Sequence, residues 1–302
     1  MQRRESRRAF LGALAVGAAS LALPAGCRGA QPSDEDDTME SARGRMPVLF
    51  VGHGSPMNII EDNAWSRGFA ALATRFPRPK AILAISAHWF VPGTFLTAHD
   101  APPTIHDFGG FPRALYEIQY PAKGSPDLAR RVRGLLGESR AGLSLEWGLD
   151  HGTWSVLHHM IPAADVPVVQ LSIDSRLDAK KHLELARSLA PLREDGVLIV
   201  ASGNVTHNLR DAFLRMRTGD HGTPAWAARF DETIRDVVTA RDEERLVSLV
   251  PDTDDGRLAH PSPDHFLPLI YAYGATDDAD RAEFPIEGFD LGSLSMRSIV
   301  FG

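Results

Sequence analysis

Histidine is the residue type whose placement in this sequence points to chemistry. The chain has 302 residues, with 12 His and a single Cys. His53, His88 and His207 each follow closely on a short apolar run of the kind that forms a buried strand. Neutral imidazole is a common ligand for Zn(II) and Fe(II), and two or three such ligands with open positions are typical of catalytic sites. A single Cys excludes a paired-thiolate site, so the sequence predicts a metal centre built from histidine.

Two further histidines are expected to join this centre. His151 lies in the sequence DHGTW at 150–154, which we interpret as a polar loop before an apolar segment. His265 stands at about the third position of a helix that Ser262 and Pro263 should open. Five imidazoles are thus expected to converge. The other histidines are predicted on helix surfaces or in loops, with His99 in a strand or at its end; they are His158, His159, His182, His221 and His260.

The elements that must position these side chains are short strands and intervening helices. The apolar runs are four to six residues long and lack the alternation of a half-exposed strand, which favours strands covered on both faces. Between them, helix starts are predicted where a hydroxyl residue precedes Pro, at Ser125, Thr223 and Ser262. The runs occupy 48–51, 81–85, 166–171 and 197–200.

This alternation predicts an α/β fold, a single three-layer domain whose central, mostly parallel sheet is flanked by helices. Open α/β sheets hold ligands at the carboxyl ends of their parallel strands, so the metal site is expected there. Gly52, Gly54 and Gly203 are predicted to allow tight turns that aim the imidazoles inward. No P-loop, nucleophile elbow or dinucleotide-binding glycine motif accompanies the strands.

The N-terminal residues have a different character. Arg7 and Arg8 precede an uncharged stretch at 9–26 that is rich in Ala and Gly, as in a twin-arginine export signal. An uncleaved membrane anchor is the alternative, but it would need more Leu, Ile and Val. The sequence LPAGC at 23–27 resembles a lipobox except for Pro24, so both a lipid-anchored and a free Cys27 are compatible with it.

We therefore divide the chain into a twin-arginine signal peptide with a lipobox-like end at 1–27, a flexible acidic tether at 28–45 and a catalytic domain at 46–302. The tether lacks the large apolar side chains that could offset the entropy of ordering it. This organisation predicts export to the periplasm or cell envelope.

Composition narrows the class of ligand. The formal net charge is −7, with 43% hydrophobic and 24% charged residues, which are ordinary globular proportions. Phosphate binding needs a concentrated basic face, and the chain has no Lys/Arg cluster beyond its N-terminus, so nucleic acid is disfavoured. A small molecule is the expected ligand, and the sequence does not reveal the oligomeric state.

Six motifs in order resemble those of the DODA-type (4,5-DOPA) extradiol ring-opening dioxygenases, a branch of the class III, LigB-like superfamily. The resemblance spans essentially the whole of 46–302. The signal and tether depart from the cytoplasmic form usual in that family, which leaves location and physiological substrate open. The motifs are GHGSPM at 52–57, SAHWF at 86–90, TIHDFGGFP at 104–112, DHGTW at 150–154, SGNVTHNL at 202–209 and PDHFLP at 263–268.

The resemblance implies a metal site and its ligands. His53 and His88 match the two metal-binding histidines of the family, and His265 matches the third ligand. His207 matches the catalytic base of the wider superfamily, but a zinc ligand in the DODA branch, so a fourth ligand in the resting state stays open. One divalent metal per chain is implied, either Zn(II) or Fe(II).

The resemblance also implies a reaction. A catechol such as DOPA would be opened by O2 to a muconic semialdehyde-type product. His207 would take a hydroxyl proton as base, and His151 matches the second acid/base residue. His106 matches a residue of the substrate pocket.

Two other functions remain as alternatives. A zinc hydrolase would use the same cluster to activate water without O2, so oxygen uptake separates it from a dioxygenase. A non-catalytic metal-binding protein on this scaffold would turn over no catechol. Intact His151 and His207 beside the ligands argue against that second alternative.

Overall fold

The computed structural model describes residues 45–302, and its strands form one large sheet. The predicted signal peptide and all but the last residue of the predicted tether lie outside the described residues, and both stay predictions. In chain order the strands are β1 (Val48–Gly52), β2 (Ala81–Val91), β3 (Thr94–Thr97), β4 (Ala141–Ser144), β5 (Val168–Asp174), β6 (Val197–Gly203), β7 (Ala282–Ile286), β8 (Phe289–Asp290), β9 (Leu294–Ser295) and β10 (Ser298–Phe301).

The sheet has eight strands in the order β4-β3-β5-β2-β6-β1-β10-β7, while β8 and β9 pair separately. Its centre is parallel, because β2 pairs with β5 and β6, and β6 pairs with β1, all in parallel. Antiparallel pairs occur where β3 meets β5 and where β10 meets β1 and β7. Every residue of β1, β5 and β6 is buried, as expected for strands covered on both faces. The mostly parallel sheet and its four predicted strands are confirmed.

Helices cover both faces of this sheet. In β2, Leu83 and Ile85 face one apolar cluster, whereas Ile82 and Ala84 face the other. The helices are α1 (Ala64–Leu72), α2 (Arg113–Tyr116), α3 (Pro126–Leu136), α4 (His151–Met160), α5 (Ala179–Arg187), α6 (Leu209–Thr218), α7 (Ala225–Ala240), α8 (Glu243–Asp252), α9 (Asp254–Ala259) and α10 (Leu267–Gly274). The first cluster packs against α3, α5, α7, α8 and α10, and the second against α1 and α4. The predicted three-layer α/β domain is thereby confirmed.

The three predicted helix starts have different outcomes. Ser125 caps α3 by accepting a hydrogen bond from the Leu128 N–H, as predicted. The prediction at Thr223 was wrong, because Pro224 is extended and itself takes the cap position before α7. Ser262 precedes only the short 3-10 turn Pro263–His265, which it does not cap with its side chain, and the longer helix α10 begins later.

None of the helices within residues 45–302 combines the length and apolar character needed to cross a membrane.

Candidate metal centre

Three of the predicted histidines lie where parallel strands end. His53 directly follows β1, and His207 lies between β6 and α6. His88 was expected in a loop, but β2 continues past it to Val91. The pairing of β2 with β5 shifts register between Ile85 and Phe90, and such an irregularity re-aims a side chain near a site. Because β1, β6 and β2 are parallel neighbours, these three side chains reach the same edge of the sheet.

His151 and His265 approach the same edge from helical elements. His151 is the first residue of α4, so the polar loop expected at 150–154 is in fact a helix start. Asp150 caps that helix by accepting from the Thr153 N–H. His265 ends the turn Pro263–His265, and its carbonyl accepts a hydrogen bond from the Asn204 N–H beyond β6.

The structure brings all five rings together. Nε2 of His53 lies 3.2 Å from Nε2 of His88. The ring centroid of His265 is 5.2 Å from that of His53 and 5.0 Å from that of His88. The ring of His151 lies 3.8 Å from that of His88, and one donor nitrogen each of His53, His88 and His151 fall within 4.8 Å of one another. His207 stacks on His265 with a centroid separation of 3.4 Å.

Neighbouring groups fix the tautomers of two of these imidazoles. The Ser202 hydroxyl donates its one proton to the Gly152 carbonyl at 2.5 Å, so its oxygen must accept from Nδ1 of His53 at 2.9 Å. Nδ1 of His265 donates to the Asp264 carboxylate at 2.5 Å. In both rings the proton is on Nδ1, and Nε2 is left with a free lone pair.

The Asp107 carboxylate lies between the other two rings. One oxygen is 3.3 Å from Nδ1 of His88, and the other is 3.0 Å from Nδ1 of His151 and accepts from the His151 backbone N–H at 2.8 Å. Burial opposes ionisation of Asp107, but its contacts with His151 and His88 hold its pKa below the usual value. A carboxylate at these positions favours a proton on each Nδ1, as for the orienting partners of metal-bound imidazoles.

Burial keeps four of the five rings neutral. It lowers the pKa of His88 to about 3 and that of His207 to about 4, with smaller contributions from neighbouring imidazoles. The pKa values of His53 and His265 are also lowered well below the ordinary range by burial, and then by the adjacent rings. The neutral imidazole is the form that ligates a metal.

The donor set fits a metal ion. Nε2 of His53 presents its lone pair to Nε2 of His88, and the two atoms share a hydrogen bond only if His88 carries its proton on Nε2. The Asp107 carboxylate, 3.3 Å from Nδ1 of His88, favours the proton on Nδ1 instead, which leaves two facing lone pairs. Nε2 of His265 is buried and has no hydrogen-bond partner among the described residues. Buried polar atoms without partners are costly, and a cation between them would satisfy all three.

His106 lies outside this ring cluster. Its Nε2 donates to the Ile118 carbonyl at 2.9 Å, and its ring packs against Trp154 at 5.4 Å and Phe108 at 5.8 Å. The Phe108 ring in turn lies 5.4 Å from that of His151. Phe108 therefore packs against both His106 and His151 and links His106 to the ring cluster.

Two of the remaining histidines are buried. The prediction of a helix surface or loop was wrong for His182, whereas His260 does lie outside the helices, directly after α9. His182 is fully buried between α5 and α10, with Nδ1 3.0 Å from the Tyr271 hydroxyl. His260 is buried as well and donates from Nε2 to the Val205 carbonyl at 2.8 Å. Each is a core histidine whose pKa burial lowers to about 4.

Most of the glycines around the centre matter because they let neighbouring atoms pack against the backbone, and fewer of them form tight turns. Only Gly54 of the three predicted glycines has a positive φ, at 62°. A Cβ on Gly203 would lie 2.3 Å from the His265 carbonyl oxygen, and one on Gly52 would lie 2.8 Å from the backbone of Met296. Gly152, which the sequence did not single out, leaves room for the His88 ring, since a Cβ there would lie 2.8 Å from its Cδ2.

A cavity of about 530 Å³ adjoins the cluster. That volume suits a small aromatic ligand. Apart from His88 and His207, the sequence did not indicate the residues around this cavity or those behind the ligands. Asp107 and Asp264 could have been found, because each stands next to a predicted histidine. The lining residues are Ala87, His88, Phe90, His207, Asn208, Leu209, Arg210, Pro261, Ser262 and Asp264.

An α/β domain that gathers neutral imidazoles at the carboxyl edge of parallel strands belongs to the class of metal-dependent enzymes. Residues 48–302 match the family described as the catalytic LigB subunit of aromatic ring-opening dioxygenases. The chain belongs to this family, and the resemblance seen in its six motifs is confirmed. It is an extradiol ring-cleavage dioxygenase with one metal ion, acting on a catechol-type substrate and O2.

Individual relatives agree with this assignment. The chain is 48% identical to 4,5-DOPA dioxygenase extradiol of Escherichia coli K12 over 275 residues, which cover 90% of this chain and 99% of the relative. It is 39% identical to the Beta vulgaris protein of the same name, covering 84% and 96% of the two chains. A crystal structure of an uncharacterized Escherichia coli K12 protein is similar with a TM-score of 0.74 and 44% identity, covering 85% of this chain and all of that one.

Proposed function

We propose that this enzyme opens the aromatic ring of a catechol such as DOPA with O2 and releases a muconic semialdehyde-type product. The observation that carries the proposal is the pair of facing Nε2 atoms of His53 and His88, 3.2 Å apart, beside the unpartnered Nε2 of His265. The names of the Escherichia coli and Beta vulgaris relatives support DOPA as the first substrate to test.

In this proposal His53, His88 and His265 hold the metal ion. Three neutral ligands leave its full +2 charge, so a metal ion there would acidify a catechol hydroxyl. Fe(II) would also pass electrons from the catecholate to O2, which redox-inactive Zn(II) would not. We therefore propose Fe(II) for turnover. The anionic partners Asp107 and Asp264 orient the ligands from behind.

His207 acts as the base. It lines the cavity, and because burial lowers its pKa to about 4 it is unprotonated near neutral pH, which is the form that a base must have. It contacts the metal at most in the substrate-free site, since a permanent fourth ligand would take a position needed by the catechol or O2.

His151 acts as the acid on the other side of the centre. Its ring lies 3.8 Å from that of His88, and its Nδ1 lies 3.0 Å from the Asp107 carboxylate. To act as the acid, the ring must carry a proton on each nitrogen, and the proton on Nε2 is then the one that it gives. His106 is assigned to the substrate pocket in this scheme, because the Phe108 ring that it packs against also contacts the His151 ring.

Anaerobic reconstitution with Fe(II), followed by oxygen-electrode assays with DOPA, caffeate and protocatechuate, tests the proposal. Oxygen uptake with at least one catechol, and a product heavier by two oxygen atoms, is the expected result. The zinc-loaded protein serves as the control and should consume little oxygen. A zinc form that hydrolyses a substrate without O2, or an iron form inert toward every catechol, would overturn the proposal.

We also propose that the protein is exported by the twin-arginine route to the periplasm or cell envelope. The support is the SRRAFL sequence at 6–11 followed by an uncharged stretch. Lipid attachment at Cys27 would anchor it there.

A further inference from the structure

Arg210 stands where the fold gives it no stabilising role. It is exposed in the first turn of α6, the end of a helix at which a positive charge is disfavoured by the helix dipole. The one acidic residue of that turn, Asp211, pairs instead with Arg215 at 2.7 Å. Among residues 45–302, Arg210 forms no ion pair.

Arg210 also lies close to the metal centre, in the wall of the adjoining cavity. Arg210 lines the same cavity as His88 and His207, whose imidazoles mark the metal end. Asp264 is the other charged residue in the lining, and its carboxylate is already engaged by Nδ1 of His265 at 2.5 Å. The guanidinium is therefore the one positive charge of the cavity lining among the described residues, and none of their carboxylates pairs with it.

We propose that Arg210 binds the carboxylate of an acidic substituent on the catechol ring, so that the enzyme prefers anionic catechols to neutral ones. This inference rests on the proposed function. The catechol oxygens would face the histidines, and a ring substituent would extend along the cavity toward Arg210. Guanidinium presents paired N–H donors that match the two oxygens of a carboxylate, which gives orientation as well as affinity.

Dihydrocaffeate and its methyl ester form a matched pair of ligands that differ in the charge of the substituent. Calorimetric titration of the zinc-loaded full-length protein, which should bind without turnover, measures each dissociation constant. We expect the wild type to bind the acid more tightly, and Arg210→Gln to weaken acid binding about tenfold, as is typical on losing a charge-assisted hydrogen bond, with little change for the ester. Arg210→Lys should retain part of the preference.

Arg217 provides the matched control, because it is an arginine of the same helix that lies in the last turn and does not line the cavity. Arg217→Gln should leave both dissociation constants unchanged. Equal binding of acid and ester by the wild type, an equal loss of both in Arg210→Gln, or the same effect from Arg217→Gln would overturn the inference.

Oxygen uptake by the iron-loaded protein separates this inference from the proposed function. Acid binding that depends on Arg210, without oxygen uptake, would contradict the dioxygenase proposal and leave the anion site intact. Oxygen uptake at the same kcat/KM with acid and ester would support the dioxygenase and overturn the role of Arg210.

Discussion

At the scale of single residues, the centre depends on what lies behind each imidazole. Ser202 and Asp264 engage Nδ1 of His53 and His265, so each Nε2 carries the lone pair that a metal needs. These partners fix the rotation of the rings before any ion binds, which reduces the ordering cost of metal binding. Asp107 lies beside Nδ1 of His88 in the same way, and because it also lies beside Nδ1 of His151 it links the orientations of these two rings.

The first prediction tests whether His265 or His151 is the third metal ligand beside His53 and His88. One ring nitrogen each of His53, His88 and His151 lies within 4.8 Å of the others. Nε2 of His265, however, is buried with no hydrogen-bond partner among residues 45–302. We expect His265→Ala to lose most bound metal, as should His53→Ala and His88→Ala, whereas His151→Ala keeps it. Elemental analysis of the purified variants, with circular dichroism to show that each is folded, measures this. Loss of metal in His151→Ala with retention in His265→Ala would exchange the two roles.

A second prediction concerns His207. Removing a general base typically costs about 10²- to 10⁴-fold in rate, whereas removing a ligand should also cost metal. The His207→Ala protein should therefore keep much of its metal and its affinity for catechol while losing turnover. Metal content and calorimetric catechol binding are measured beside oxygen uptake. A loss of metal as severe as in His53→Ala would show that His207 is a ligand instead.

The sequence predicts more of the ligands than of their partners, for a physical reason. His53, His88 and His207 follow apolar runs whose local sequence pattern is enough to predict buried strands. Ser202 and Asp107 matter only through contacts formed across the fold, and the pattern of a single segment does not contain those contacts. The same applies to His182, whose burial is decided by the packing of α5 against α10.

At the scale of elements, the central strands were predictable and the outer ones were not. β1, β2, β5 and β6 are continuous apolar runs because both their faces are covered. The antiparallel pairing of β10 with β1 joins opposite ends of the described chain, and such long-range pairing leaves no local signal in a four-residue strand. The helix start predicted at Thr223 failed for a local reason, since Pro224 takes the cap position there and not the first helical position.

A third prediction tests how tightly β6 packs against the turn that carries His265. Gly203→Ala would place a Cβ 2.3 Å from the His265 carbonyl oxygen, a backbone atom that cannot move aside alone. We expect His265 to shift, metal content to fall and unfolding to become easier by roughly 1–3 kcal/mol, the usual cost of overpacking. Elemental analysis and denaturant unfolding measure the two effects.

Gly109→Ala is the control for that substitution. A Cβ on Gly109 would meet nothing within 4 Å, so this variant should retain both its metal and its stability. If Gly203→Ala behaved like Gly109→Ala, the close approach of β6 to His265 would not matter for the site.

At the scale of the whole molecule, the catalytic domain follows an N-terminal segment whose sequence favours export. The twin-arginine route carries folded proteins, so metal could be loaded in the cytoplasm before translocation. A fourth prediction is that changing both Arg7 and Arg8 to Lys leaves the protein in the cytoplasm. Cell fractionation and immunoblotting measure its location, with Arg3→Lys as a control outside the pair. Normal export of the double variant would favour a different pathway or an uncleaved anchor.

The stability of the whole domain should depend on pH through buried histidines outside the metal centre. Burial lowers the pKa of His182 from 6.5 to about 4. Below pH 6.5 the unfolded chain therefore binds a proton at this residue that the folded chain does not, and stability falls as the pH drops toward 4. Between about pH 7 and about pH 5 this single residue should lower the free energy of unfolding by roughly 2 kcal/mol, because each pKa unit corresponds to 1.36 kcal/mol.

His182→Gln removes that titration, so a fifth prediction is that the variant loses less stability than the wild type between the two pH values. The comparison uses the free energy of unfolding in denaturant, measured for both proteins at each pH and in the same metal state. The variant is expected to be less stable at neutral pH, because Gln does not reproduce the contact with Tyr271, but its pH dependence should be shallower. His221→Gln is the control, since that ring is exposed to solvent in the folded and unfolded chain alike. An identical pH dependence in wild type and His182→Gln would mean that the buried ring takes up its proton without unfolding the domain.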